Sequence, residues 1–484
     1  MQKELQIGWV DVVLEDLFSH VTGGDWGLDP ETEGAEGFSK VVCIRGGELR
    51  NWRVDKGKTA SIRLVKDSSI NTRRLKIGDI LLEISGGGPD QPVGRTVIID
   101  EEVFKNHPEL PKVCTNFLRL VRLVDVVNKQ YINQYLQYFY SSGEVVKYQG
   151  GSNNLRNLKF GDYSSIKIPL PPLPEQQRMV AKLDRLFGHL DALKTCLDRI
   201  PQLLKDFRQK VLTQAVTGQL TEGWREGREL GEWKTEIASV CCDKVQSGGT
   251  PKGGGFTDEG IPFLKVYNIV NNQIDFEYRP QFVTIEVQNK ALSKSIAYPG
   301  DVLMNIVGPP LNKIAILPAD YPEWNLNQAI TLFRTKKYLL NTFLYYFFCE
   351  GKSVREVMGE TKGVVGQINI SLSQCRDFEI PIPPFDEQQE IVRRVESLFA
   401  KADQIEAGYQ KLKAKIEQLP QALLAKAFHG ELVQQLPTDG DARDLLEQIK
   451  QAKAGLGKGG KTKKMKGNDK VRMVAEKSAK YGSR

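Results

Sequence analysis

Several polar, glycine-bearing segments of the 484-residue chain carry side chains suited to reading flat, hydrogen-bonding ligands. They are Thr22, Gly23 and Gly24 in VTGGDW; Ser85 in ISGGGP; Asn153, Asn154 and Arg156 in GGSNNLR; Ser247, Gly248, Thr250 and Lys252 in QSGGTPK; Tyr267 and Asn268 in VYN; and Gln367 and Asn369 in GQIN. Asn and Gln can pair in bidentate fashion with adenine edges, Arg with guanine, and backbone N–H groups with phosphate. Any one of these segments reads as an ordinary polar turn. Their appearance in both halves of the chain is what points to nucleic acid.

Catalytic patterns are weaker. Residues Gly455–Thr462, GLGKGGKT, satisfy the spacing of a phosphate-binding loop. That loop works between a buried strand and a helix, whereas here DARDLLEQIKQAKA precedes it and KKMKGNDK follows, so low-complexity coincidence is the better reading. IPPF at Ile382–Phe385 lacks the polar residue that a Pro-Pro-aromatic methyltransferase loop would need. The four histidines, His20, His107, His189 and His429, form no HExxH and lie in no Gly-x-Ser-x-Gly context. Seven cysteines without a CxxC pair argue against a zinc site or a disulfide framework and fit a reducing cytoplasm. The longest apolar stretch, Tyr338–Cys349, is far short of the roughly 20 residues of a membrane span. The first residues have no signal-peptide pattern.

Net charge is +7, but residues 451–484 hold eleven Lys or Arg against two acids, a local excess of +9. The rest of the chain is therefore near −2, and the Gly/Lys-rich tail reads as disordered.

The elements that position these loops are written twice. IPLPPLPEQQRMVAKLDRLF begins at Ile168 and IPIPPFDEQQEIVRRVESLF at Ile380, an offset of 212 that continues without a gap for about fifty residues. Upstream, Trp9 pairs with Trp233, Gly23-Gly24 with Gly248-Gly249, and Gly78-Asp79 with Gly300-Asp301. In each half, short β-branched runs predict strands: Lys40–Ile44, Ile80–Ile84 and Thr96–Ile99, then Phe263–Tyr267, Val302–Val307 and Ile314–Leu317. A helix follows near Tyr131–Tyr148 and again near Tyr338–Met358.

After the prolines the period becomes helical. Leu183, Phe187, Leu190 and Leu197 in the first half, and Val395, Phe399, Ile405 and Tyr409 in the second, mark a narrow apolar seam of coiled-coil type. Glu175 and Glu387 are expected to face the positive helix ends, and Asp386 with Gln389 to form a capping box. Pro201 and Pro420 are expected to kink or stop the helices, and Gly218 and Gly430 to end them.

PLPPLPEQQRMVAKLDRLFGHLDAL and PIPPFDEQQEIVRRVESLFAKADQI, each behind a divergent Gly-rich domain, resemble the specificity (S) subunits of type I restriction–modification systems. The W…SGGTP segment at Trp233–Pro251 is similar to the start of such a target-recognition domain, and TGGDWG in the first half departs from it. The resemblance covers about Trp9 to Leu436 and implies an α+β chain: two tandem target-recognition domains separated by two long helices forming an antiparallel coiled coil. The expected boundaries are 1–168 and 223–380 for the two recognition domains, 169–222 and 381–436 for the helical regions, and 437–484 for a short helix and the basic tail.

The resemblance further implies a cytoplasmic, non-catalytic subunit that reads a bipartite, asymmetric site on double-stranded DNA. Two modification subunits would use S-adenosylmethionine to methylate adenine N6, and two restriction subunits would use ATP and Mg. No cofactor or metal is expected in this chain, and no membrane. A self-contained DNA methyltransferase or nuclease with duplicated recognition domains is the alternative. A coiled-coil scaffold with no DNA role is a third reading.

Overall fold

The computed structural model describes residues 6–88, 91–151, 155–251, 255–360 and 368–457. The chain forms two compact units, one made of Met1–Leu193 with Ala414–Arg484, the other of Lys194–Lys413.

In the first unit four antiparallel strands stand in the order Phe18–Gly23, Leu118–Leu123, Ile80–Glu83 and Thr96–Ile98. The second unit has the same order in Cys242–Ser247, Ile330–Thr335, Val302–Asn305 and Ile314–Ile316. Alternation along the strands divides the side chains between two buried faces, and on one of them Leu81, Val97, Leu118 and Leu120 share a cluster in the first unit. Leu303, Ala315, Ile330 and Leu332 do the same in the second.

The repeated Gly-Asp pair holds each sheet together. Asp79 accepts both nitrogens of the Arg122 fork at 2.7 Å across the strands and the N–H of Lys76 in its own turn. Asp301 does the same with Arg334, at 2.9 and 2.7 Å, and with the N–H of Tyr298. Such bidentate, charge-assisted bonds are the strong ones.

The proline stretches are strands. Lys167–Leu170 pairs with Val10–Val13, and Glu379–Ile382 with Lys234–Ile237, so the last strand of each domain closes on its first. A two-stranded ribbon has free edges, where a proline without an N–H is tolerated.

The longer helices include α1 (Lys129–Ser141), α2 (Leu173–Leu197), α3 (Ile200–Val216), α4 (Asn341–Glu350), α5 (Phe385–Phe428) and α6 (Ala442–Gly457). At the start of α2, fully buried Gln176 accepts the N–H of Asn128, at the entry to α1, at 3.2 Å and donates to the Pro171 carbonyl at 2.8 Å. At the start of α5, Gln388 accepts the N–H of Leu340, at the entry to α4, at 2.8 Å and donates to the Pro383 carbonyl at 2.9 Å. The preceding glutamates, which lie in the first turn of each helix, also accept from an indole. Trp9 Nε1 donates to Glu175 at 3.2 Å and Trp233 Nε1 to Glu387 at 2.9 Å.

In each unit a stretch of α2 or α3 runs antiparallel to a stretch of α5 or the segment after it. In the first, Lys182 donates to the Leu432 carbonyl while Arg178 grips Asp439. In the second, Arg208 bonds Asp403 and Glu406, and Val211, Leu212, Ala215 and Val216 join Ile391 and Val395 in one core. Leu183, Leu190, Leu197, Leu204 and Val211, seven apart, are all buried, as are Val395, Ala402, Tyr409 and Ile416. Phe187 is buried and Phe399 half-buried, edge-on to Tyr346. Ile405 departs from the expected seam: it is 55% exposed, because the seven-residue steps place Ala402 and Tyr409 inside and Ile405 on the neighbouring stripe. Pro201 sits in the first turn of α3, just past a break at 198–199, whereas Pro420 lies inside an uninterrupted α5. Gly218 and Gly430, at φ of +80° and +74°, follow the helix ends as expected.

The two buried glutamates are not equivalent. Glu387 also accepts from Thr221 and Arg225, whereas Glu175 gains only a 3.5 Å contact from Gln435 and one of its oxygens has no partner. Burial therefore holds the Glu175 carboxyl above its ordinary range. Glu387→Gln should cost about 1–2 kcal/mol, by loosening Arg225, while Glu175→Gln should cost less than about 0.5 kcal/mol. Because the folded-state value is raised, ionised Glu175 subtracts stability above it and the loss is recovered as pH falls through it. Wild type should thus gain on Glu175→Gln from neutral to weakly acidic pH. Unfolding midpoints across that range check both points, and a larger neutral-pH loss for Glu175→Gln would contradict them.

Candidate nucleic-acid interface

The polar loops gather around one turn in each unit. In the first, Thr115–Phe117 enters the strand Leu118–Leu123. The Gly24 N–H donates to the Leu118 carbonyl and that of Asp25 to Cys114, which lays the Thr22–Trp26 segment against one side of the turn. On the other side the Ile84 N–H donates to the Phe117 carbonyl, and the Leu158 N–H to that of Ile84. Ser85 and Arg156 therefore lie on adjacent strands, with Asn157 accepting from the Ser85 hydroxyl at 2.6 Å. Phe117, nearly half exposed, stands beside Gly86.

The second unit repeats the arrangement around Asn327–Ala329. The Gly248 N–H donates to the Ile330 carbonyl and that of Gly249 to Leu326, while Thr250 donates to Gln328 at 2.5 Å. On the far side the Ile306 N–H donates to Ala329, and Asn369 pairs with Val307. Ser247 lies across from Thr331.

Register corrects one alignment. Leu118 and Ile330 are equivalent strand starts, so the glycine bonded to each is the equivalent residue: Gly24 matches Gly248, and Gly23 matches Ser247. A Cβ on Gly24 would lie 2.0 Å from the Thr115 carbonyl, and one on Gly248 2.1 Å from that of Leu326. Both glycines are required for close backbone approach. Gly23 has open space where its Cβ would be.

Other expected residues have different duties. Asn268 is fully buried; its amide accepts the Lys265 N–H and donates to the Asp275 and Tyr278 carbonyls, bracing its own loop. Tyr267 belongs to the same loop, its hydroxyl donating to the Arg279 carbonyl. Thr22 is half-buried on its strand. Asn153, Asn154, Lys252, Gln367 and the basic tail after Gly457 lie outside the described residues. The central turns, Thr115–Phe117 and Asn327–Ala329, carry no compositional signal. Only the sheet registers reveal them.

Among the described residues no group of three or more His, Cys, Asp or Glu is arranged to hold a metal ion, and no helix is long and apolar enough to cross a membrane. Burial pushes the thiols of Cys43, Cys349 and Cys375 up to about 12, far from a reactive thiolate.

Residues 7–202 and 232–418 each match the family model for the type I restriction modification DNA specificity domain. The chain is 29% identical to the type I restriction enzyme EcoKI specificity subunit of Escherichia coli K12, over 94% of this chain and 97% of that one. It is 29% identical to the StySPI specificity subunit of Salmonella potsdam, over 88% and 91%. Its fold is similar to that of the HsdS subunit from Thermoanaerobacter tengcongensis, with a TM-score of 0.58 at 17% identity, covering 89% of this chain and 99% of that one.

The glycine geometry separates framework from surface. Gly24→Ala should cost about 1–3 kcal/mol by forcing the turn off its strand, and should weaken DNA binding with it. Gly23→Ala should stay within about 0.5 kcal/mol. Thermal unfolding and DNA titration of the two variants check this; equal effects would place both glycines in the same role.

Proposed function

The chain belongs to the type I restriction–modification DNA specificity family, and from that premise we propose that its two recognition domains read the two halves of a bipartite, asymmetric site independently. The chain itself is the non-catalytic DNA-recognition subunit of a restriction–modification complex, not a self-contained methyltransferase or nuclease. The observation that carries the modular reading is the pairing of equal frameworks with unequal surfaces. The Gly-Asp/Arg lock, the Trp–Glu bond, the Gln clamp and the strand-entry turn occur in both units. The side chains around the turns differ: Phe117 in one, Gln328 in the other.

The residues we assign to DNA are Thr22, Gly23, Ser85, Asn153, Asn154 and Arg156 in the first domain. In the second they are Ser247, Thr250, Lys252, Gln367 and Asn369, while Gly24, Gly248, Tyr267 and Asn268 shape the loops that carry them. Partners would be two modification subunits, binding S-adenosylmethionine, and two restriction subunits, binding ATP and Mg. The helices offer a surface for them. In the second unit Leu203, Phe207, Ile405 and Leu412 are exposed, and the Arg208 bonds to Asp403 and Glu406 bring Phe207 and Ile405 to one level. An exposed apolar stripe beside a filled seam marks a protein-binding face.

Exchanging the first domain for that of another such subunit should change one half-site in a methylation map and leave the other intact. A wrong base should cost about 1–3 kcal/mol in its own half, nearly additively with the other. Residues inserted near Gly218–Gly223 should alter the spacer but neither half-site. A first-domain exchange that altered both half-sites would overturn the modular reading. Changing Leu203 and Ile405 to Ser should release the modification subunits while the unfolding midpoint holds; undiminished assembly would remove this face from the interface.

A further inference from the structure

We propose that Arg119 is a backbone-phosphate contact of the first recognition domain. Its strand neighbours Leu118 and Leu120 point into the core, so Arg119 lies on the opposite face, across from Gly23 on one side and Leu82 on the other. The guanidinium lies over the ring of Phe160, 4.2 Å from its centroid, and that ring stacks at 6.1 Å on Phe18. The charge is thus held flat on a pedestal of two aromatic rings.

What it lacks is an anion. Its Nε is sealed from water with no hydrogen-bond partner, and among the described residues no carboxylate pairs with it. Arg122, three residues on, makes a bidentate pair with Asp79. Burial draws the Arg119 pKa down without removing its charge. A half-buried cation without a partner is a standing cost to the fold.

The fold does not require that cost. The equivalent strand position in the second unit is Thr331, and Leu372 in its short helix Leu372–Arg376 matches Phe160 in the helix Phe160–Ser164. Cys242, at the start of the equivalent strand, matches Phe18. The same framework closes there over small or aliphatic neutral groups. Pedestal and charge belong to the first domain alone, beside its Thr22–Gly23 edge.

The missing anion is assigned to phosphate for a reason of reach. The side chain is laid against its own sheet with Nε covered, leaving the terminal nitrogens to act. Base edges lie at the floor of a groove about 8.5 Å deep, whereas phosphates form the ridge nearest the protein. A guanidinium that cannot extend meets the ridge.

The inference rests on the first domain being a DNA reader, and the test separates the two. The full chain, assembled with its modification subunits, is titrated with duplexes carrying and lacking the target site over a salt series. Arg119→Thr, the second domain's own residue, should weaken binding to both duplexes on the order of tenfold and flatten the log–log salt slope by about 0.9. The preferred sequence should not change. Methylphosphonate substitution, one position at a time, should reveal one phosphate whose neutralisation weakens the wild type but not Arg119→Thr. That scan also works on wild type alone should the variant unfold: a target site at which no first-half phosphate matters would overturn the proposal. Unchanged affinity and slope in a folded variant would overturn it too, and a changed first half-site would make Arg119 a base reader instead. Wild type that failed to discriminate the two duplexes would overturn the domain's reading itself.

Discussion

The structure depends on a buried glutamine at the head of each long helix. Gln176 and Gln388 each tie three pieces of backbone that no sheet joins: the proline strand that ends a recognition domain, the helix that follows that strand, and the entry to α1 or α4. An amide is suited to this because it donates and accepts from one rigid plane, and both backbone groups would otherwise be buried and unsatisfied at a cost of 1–3 kcal/mol or so each. The neighbouring glutamate extends the clamp to an indole on the segment that opens the domain. Helix and domain are thereby fixed at three points. Recognition surfaces built on the domain inherit that rigidity.

This explains which parts of the fold were legible. The strongest sequence repeat, the proline run with Glu-Gln-Gln, is the part whose side chains bond backbone, so neither half can vary them without leaving buried polar groups unpaired. Strands at Lys40–Ile44 and Ile80–Ile84, and helices near Tyr131 and Tyr338, followed from dense apolar and aromatic runs, because these elements are buried along most of their length. The glycine alignment slipped by one residue because GG reads the same in either register. Only the hydrogen bond to the strand-entry carbonyl distinguishes the two positions. Ile405 was misplaced for a related reason. Steps of three and four describe two adjoining stripes on a helix, and an apolar type alone does not say which stripe faces the partner helix.

The candidate surface was less legible, for a physical reason. A residue that meets an external ligand has no obligatory partner within the chain, so it leaves no covariance with the framework and no periodicity. Asn268 had the right chemistry for a base edge, yet its amide serves three backbone groups. Arg119 gave no signal because either arginine in LRLVRL looks like the polar half of a strand. Its meaning depends on Phe160, forty-one residues away, and on its having no carboxylate partner among the described residues.

Comparison of the two units shows what continuity of chain contributes. In the second unit the end of α3 continues through Gly218 and the segment 219–232 to Trp233, whose ring lies against Gly218. In the first, the equivalent Gly430 lies against Gln6, with more than four hundred residues of chain between them. Non-covalent bonds take over the linker's work there. Gln435 donates to the Ile7 carbonyl, the Ala442 N–H to that of Gly8, and Lys453 reaches Asp16 from α6. Arg178 grips Asp439 to hold the returning segment on α2. A long loop adds only slowly to the entropy of closure, each doubling costing about 0.6 kcal/mol. A few hydrogen bonds and the packing of α6 can therefore hold together what a short peptide joins in the second unit. The same recognition-domain plan is kept in both, and the Trp–Glu bond, whose two residues are joined through the domain itself, forms whether a short linker or non-covalent contacts hold the neighbouring helix end in place.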